Sequence, residues 1–470
     1  MMLKRILKSA LKKLMTFGVK MEICPTFRKI SEETGKGTFS FDDFEKEAPF
    51  KIEYYIGKEA LIIMEEAFFS ELSLKLSNSY NQKPVEASLS GQMDNGCKIY
   101  IHKMIMISTA GLKKGKSTPI KFKVFSPIIV SNESLKPVKE KTEIHFYITN
   151  FEFIGCEKTI YPKGGWKLDH FSVNFEGYTL NIKQVEKYKE IIENLKKNKT
   201  SAITAEIIIK ADLSEKDKLY PIITNICELL SFATGNSVVP ITEEHLSNGE
   251  FMWSKTTSMR VDNFKSGDQL IPHLPPEAIR EFTIKSYPNY SKLKDGLGLN
   301  VLINYYLLMK SNPILDVRCL LGFILLECLA NHAQEFYAKN GKPIESSMKK
   351  SKIKQLNKIL PKSHNLSKKT MDKIIEEFVY PFPSLQDSIK RLMDEFDMMY
   401  KKKEAELWKL RKDFIHKGMY PKNTKNHIQI YRNIVHFIDR LTLHILKYDG
   451  EFLNIANGYR TENLVLSHPL

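Results

Sequence analysis

A chain of 470 residues, 42% hydrophobic and 11% aromatic, carries enough apolar material for two or three packed domains, which excludes global disorder. The net charge of +16, mostly lysine in origin, favours an anionic partner, nucleic acid or an acidic membrane surface, without choosing between them. Six scattered cysteines (Cys24, Cys97, Cys156, Cys227, Cys319 and Cys328) form no CxxC and no His/Cys ligand spacing, so no metal or other cofactor is expected and the chain reads as a reduced, cytoplasmic protein.

Residues 1–38 read as a basic tail. The segment MMLKRILKSALKKLMTFGVK is amphipathic, but Lys8, Lys12 and Lys13 break the apolar stretch that a signal peptide needs. It suits a surface helix, or sequence ahead of a true start at Met21; a membrane anchor is the least favoured reading.

Residues 39–245 are expected to form a β-rich domain, a sandwich or an open barrel. Ile144, Phe146 and Ile148 alternate with His145, Tyr147 and Thr149, the period of a half-buried strand. Asp94-Asn95-Gly96 separates Ala87–Met93 from Lys98–Ile107 as a hairpin turn. Glu176-Gly177 does the same between Phe171-Val173-Phe175 and Tyr178-Leu180-Ile182, and Ile203 begins another strand. Two helices interrupt this pattern, one over Lys183–Asn198 and one from about Lys216 to Gly235, which fits a C-cap.

Residues 246–300 read as a connection in which Pro275 and Pro276 open a helix, with Glu277 in its first turn. Residues 301–470 turn helical throughout. Ile314–Ala330 is apolar almost all round and is expected to be the central helix of a four-helix bundle, which makes Glu327 conspicuous. Further helices are expected near 369–378, over 384–417, and from Asn426 to Tyr448 with Ile430, Ile434, Phe437, Leu441 and Ile445 inward. The lysine-rich stretch 349–369 has no interleaved aromatics, so it offers diffuse phosphate attraction and not a stacking platform.

The stretch Leu407–Gly418 reads as a helix end, striped by Leu407, Leu410 and Phe414 and stopped by Gly418 and Pro421. It places Arg411 five positions before His416. An arginine holds phosphate oxygens with a charged planar fork, and a histidine moves protons near neutral pH. Together they suit metal-independent cleavage of RNA, whose ribose 2′-hydroxyl is an internal nucleophile. Chance alone supplies roughly one such spacing in a chain of this composition. Five helical steps also set the two side chains about 140° apart, so they converge only at a loosened helix end or across two chains.

The arrangement resembles the HEPN ribonuclease signature, Arg and His separated by four to six residues. The fuller string Leu410-Arg411 to His416-Lys417-Gly418, with the softer string Leu229-Leu230-Ser231-Phe232-Ala233-Thr234-Gly235-Asn236, resembles the ApeA-like branch of that family. Many HEPN nucleases carry Asn, Asp or His directly after the arginine, where this chain has Lys412. The resemblance implies an α+β protein: the N-terminal β-rich domain, acting as sensor or substrate positioner, precedes a C-terminal HEPN-type helical bundle. It implies an endoribonuclease with Arg411 and His416 catalytic, leaving a 2′,3′-cyclic phosphate. The implied setting is antiviral defence by abortive infection, with tRNA a candidate substrate, a homodimer with a composite active site, and a phage-derived trigger. Glu327 and Asp413 are candidate supporting residues, and Lys349, Lys350, Lys352, Lys354, Lys412 and Lys417 candidate RNA contacts. Against each stands a plainer reading: an ion pair of Glu327 with Arg318 or a lysine, charge balance for Asp413, a solvated face for the lysines. The alternative for the whole chain is a non-catalytic HEPN module for RNA binding or dimerisation.

Overall fold

The computed structural model describes residues 29–464, except 42–43, 56–59, 65–85, 109–118, 126–127, 133–141, 162–163, 258–260, 268, 343, 345–382 and, within 400–425, all but Glu404, Leu407, Leu410, Arg411 and Phe414. The fold is α+β: strands dominate the N-terminal half and helices the C-terminal half.

Seven strands come first: β1 (Lys29–Phe41), β2 (Phe44–Tyr55), β3 (Leu61–Met64), β4 (Glu86–Met93), β5 (Lys98–Ser108), β6 (Ile120–Val124) and β7 (Ile128–Ser131). They pair antiparallel in the order β4-β1-β2-β3-β6-β5, and β4 pairs with β5, which closes a six-stranded barrel. Closure of this kind removes the free edges of a sheet. Phe39, Phe50, Ile52, Leu89, Ile101 and Phe122 fill its interior. Gly37 and Gly91 face each other across β1 and β4, where a Cβ on either would meet the other strand. The Asp94-Asn95-Gly96 turn closes on a bond from Gly96 N to Met93 O, with φ +87° at Gly96, which glycine alone adopts without strain.

One edge of β5 is divided. Met104–Ser108 pairs with β6, whereas Lys98–Ile101 pairs with β7. Through β7 the sheet continues into a second wing formed by β8 (Thr142–Thr149), β9 (Glu157–Ile160), β10 (Trp166–Phe175), β11 (Tyr178–Gln184), β12 (Ile203–Ala211), β13 (Pro240–Ser247) and β14 (Glu250–Thr256), ordered β7-β14-β13-β8-β12-β11-β10-β9. The alternation read in β8 appears as buried Ile144, Phe146 and Ile148. Glu176 and Gly177 both take positive φ, the primed turn that suits strand twist.

Helix α1 (Tyr188–Asn198) starts later than the expected Lys183 because Lys183 and Gln184 continue β11, paired with Glu206 and Ala205. Helix α2 (Lys216–Thr234) ends at Gly235, φ +68°, as its sequence suggested. It is buried almost all round from Ile222 to Thr234. Then follow α3 (Ala278–Leu297), α4 (Leu299–Ser311), α5 (Leu315–Lys339), α6 (Leu385–Glu395) and α7 (His427–Ile445), with a hairpin of β15 (Glu451–Asn454) and β16 (Arg460–Asn463). One continuous core runs from β8 to Leu464 and holds the second wing and these helices together. At Gly322 of α5 a Cβ would stand 2.6 Å from Ile434 Cγ2 of α7 and 3.2 Å from Met309 Sδ of α4, so glycine permits that three-helix crossing.

Four expectations change. The enveloped helix is α2, not the 314–330 segment, whose Leu315, Leu321 and Glu327 are only half-buried. The helix expected over 384–417 stops at Glu395, because Asp397 takes a left-handed φ of +52° and Met398 N bonds back to Met393 O. Strand β1 occupies the end of the stretch read as a tail, and β14 lies in the stretch read as a connection, ahead of α3, the helix expected after Pro276. The β15–β16 hairpin had no counterpart in the periodicity, its strands being too short to carry one. The lysine stretch 349–369 and the helix expected near 369–378 lie outside the described residues.

Candidate functional site

The described residues of the motif helix are Glu404, Leu407, Leu410, Arg411 and Phe414, all helical. Leu407 and Phe414 are buried, and the Phe414 ring packs on Phe323 of α5 at 5.6 Å between centroids. Four residues along α5 from Phe323, on the same face, stands Glu327. Three residues before Phe414, on its own face, stands Arg411. The two helices therefore run antiparallel past this contact, and Arg411 Nη2 donates to Glu327 Oε1. Seven residues back, two turns away, Glu404 accepts from Arg440 Nη1 of α7. The motif helix is thus clamped to α5 by an aromatic contact and to α7 by a buried ion pair.

Arg411 is poised between core and solvent. Its side chain is 33% exposed and that of Glu327 28%. Its Nε is buried and has no hydrogen-bond partner among the described residues. Burial pushes the guanidinium pKa down, yet an arginine stays protonated in proteins, so the charge persists. Five N–H donors on a fork of which Glu327 takes one leave capacity for an oxyanion. Of the plainer partners considered for Glu327, Arg318 directs its Nε to Asn312 O.

His416, Lys412, Asp413, Lys417, Lys349, Lys350, Lys352 and Lys354 lie outside the described residues. No group of three or more His, Cys, Asp or Glu side chains among the described residues could hold a metal ion, and no described helix is long and apolar enough to cross a membrane.

Sequence reasoning missed two buried polar clusters nearby. Arg440 and Glu404 are each only 6% exposed. One residue before Arg440, Asp439 accepts from Tyr306 Oη at 2.7 Å, and buried Lys310 lies 4.5 Å from the Tyr306 ring centroid. Burial pushes the Asp439 carboxyl up to about 6, against the pull of Lys310 and the Tyr306 hydrogen bond. The available signal was two adjacent charges, Asp439-Arg440, inside the apolar stripe of α7; the same logic singled out Glu327.

One family model, that of the YopA central domain, matches residues 137–267. The ApeA-like proteins are related to that family. The matched span runs from the approach to β8 to beyond β14 and includes α1 and α2. No curated protein and no solved structure matches the chain.

Proposed function

We propose that this protein is a metal-independent HEPN endoribonuclease whose chemistry resides on the motif helix. The observation that carries the reading is the half-exposed Arg411–Glu327 pair: a charged fork held at a fixed place by one oxygen, with further donors free for a phosphate. The related family at residues 137–267 is consistent with an ApeA-like chain. In the proposed step His416 removes the proton of the ribose 2′-hydroxyl, whose oxygen attacks the adjacent phosphorus. The bond from phosphorus to the 5′-oxygen breaks, and that oxygen leaves as a hydroxyl after taking a proton. The other product carries a 2′,3′-cyclic phosphate. Arg411 holds the phosphate oxygens as charge accumulates on them. The active form is a homodimer in which two motif helices share one cleft; the setting is antiviral defence, with cellular RNA such as tRNA as substrate.

The same ion pair favours a second reading, a non-catalytic RNA-binding or dimerisation module, since Glu327 neutralises the arginine. Cleavage of total RNA and tRNA by purified protein in EDTA, beside Arg411→Ala and His416→Ala, separates the two. The nuclease reading expects cleavage that survives EDTA and falls by about 10²–10⁴-fold in each variant. Equal activity in all three proteins would refute it. A monomer that cleaves at full rate would remove the shared cleft.

A further inference from the structure

Between α2 and the strands β8, β13 and β14 lies an open cavity of about 160 Å³. An apolar cavity of about 150 Å³ holds a benzene ring, so this space suits one six-membered ring. Its walls are chemically divided. Phe146, Tyr220, Ile223 and Ile241 supply ring and aliphatic surface, whereas Glu243 and Lys255 bring opposite charges. Those two residues are register partners across β13 and β14, so their side chains rise side by side from one face.

Glu243 is 4% exposed, and its carboxylate is held in place from behind. Tyr220 Oη donates to Oε2, and His245 Nε2 lies 2.6 Å from Oε1. Burial works to raise the Glu243 carboxyl, but the bonds to His245 and Tyr220 and the charges of His245 and Lys255 together outweigh it and hold the group below its ordinary range. A carboxylate has about four acceptor positions, so two remain after these bonds. His245 is itself fixed by stacking on Trp253 at 4.1 Å. Lys255 faces Glu243 as its attracting charge, and its ammonium sits 5.5 Å from the centroid of the Tyr220 ring. A fixed acceptor and an ammonium donor therefore stand side by side over a ring-sized slot.

We propose that this cavity binds a pyrimidine base of the cytosine type. Its exocyclic amino group donates to Glu243, its ring nitrogen and carbonyl oxygen accept from Lys255, and its ring lies against Phe146 and Tyr220. Glutamate accepting from the cytosine amino group is an established pairing of base recognition, and aromatic side chains take unstacked bases on their faces. Uracil has a carbonyl where cytosine has that amino group, so it presents an acceptor to the Glu243 carboxylate and is disfavoured. The site is separate from Arg411 and does not depend on the nuclease reading.

Isothermal titration of the full chain with cytidine 5′-monophosphate, uridine 5′-monophosphate and a short cytidine oligoribonucleotide tests this. Saturable binding of the cytidine monophosphate, with uridine monophosphate weaker by about tenfold or more, is the expected result. Binding of the oligonucleotide alone assigns the slot to bases of an RNA chain; binding of the mononucleotide assigns it to a free nucleotide as well. Lys255→Ala, which removes a half-exposed side chain, leaves the thermal midpoint in place and weakens binding about tenfold. Glu243→Gln removes the cytidine preference, and the Arg411→Ala variant binds as the wild type does. Equal affinity for cytidine and uridine, no saturable binding of any of the three by protein with the wild-type thermal midpoint, or binding indifferent to both Lys255→Ala and Glu243→Gln would overturn the assignment.

Discussion

Two arginine–glutamate pairs anchor the same helical stretch, two turns apart, and they are built for different ends. Glu404 and Arg440 are sealed at 6% exposure each, and Arg440 Nη2 also donates to Met399 O at 3.2 Å. Arg411 and Glu327 stand about a third open, and the arginine keeps a buried Nε without a partner among the described residues. A sealed pair offsets part of its desolvation through its mutual bond, and breaking it strands a charge in the core. A half-open pair sits in solvent-screened surroundings, contributes little stability, and leaves donors for an incoming anion. Burial, more than the type of residue, divides an architectural ion pair from one that a ligand can reach.

The largest test of that division is Glu404→Ala, which leaves Arg440 buried without its carboxylate. Urea unfolding should report a loss of about 3–5 kcal/mol. The double change Glu404→Leu with Arg440→Met should recover most of that loss, because apolar replacement of both partners of a buried pair is often neutral or better. A harmless Glu404→Ala would mean that the sealed pair is no more architectural than the open one.

Glu327→Gln probes the open pair from the other side. Its stability should change by no more than about 1 kcal/mol, since pairs at this exposure contribute roughly 0–1 kcal/mol. On the proposed nuclease reading, RNA cleavage should fall roughly tenfold to a hundredfold, because Arg411 would lose the contact that fixes its position. Stability and activity thus respond in opposite proportion at the two pairs.

The smallest effect concerns Asp439, beside the sealed pair. Its folded-state pKa of about 6 lies above the ordinary value of 3.8. A raised carboxyl favours the folded state fully below the unfolded pKa and loses that contribution as pH rises through the folded one. The Asp439 contribution should therefore decline between pH about 4 and about 6, and Asp439→Asn should remove that step from the urea midpoints measured across this window. A step that persists in the variant would assign it to another group.

Local pattern carried much of the fold. The alternation in β8, the turns at Asp94-Asn95-Gly96 and Glu176-Gly177, the cap at Gly235 and the inward stripe of α7 all follow from side-chain period and backbone freedom. Glu327 stood out because a carboxylate in an apolar helix needs a partner, and the structure supplies Arg411. What local pattern could not reveal is pairing at long range. Nothing near residues 98–108 announces that β5 divides one edge between β6 and β7, or that β4 returns to close the barrel. Asp439 and Arg440 were masked by Phe437 and Leu441 on either side, which satisfied the stripe without them. Glu243 and His245 alternate with Ile241 on the inward face of β13, where a search for apolar period passes over polar residues held by one another.

The pairing of β7 with β14 has a practical corollary for dissecting the chain. Residues 128–131 on one strand bond residues 253–256 on the other, and the first group falls outside the 137–267 match while the second falls inside. A fragment expressed at the family boundaries would therefore leave β14 with a row of unsatisfied amides and carbonyls, a template for aggregation. Soluble pieces of this protein should begin upstream of the barrel, because the strand that finishes the second wing is borrowed from the first.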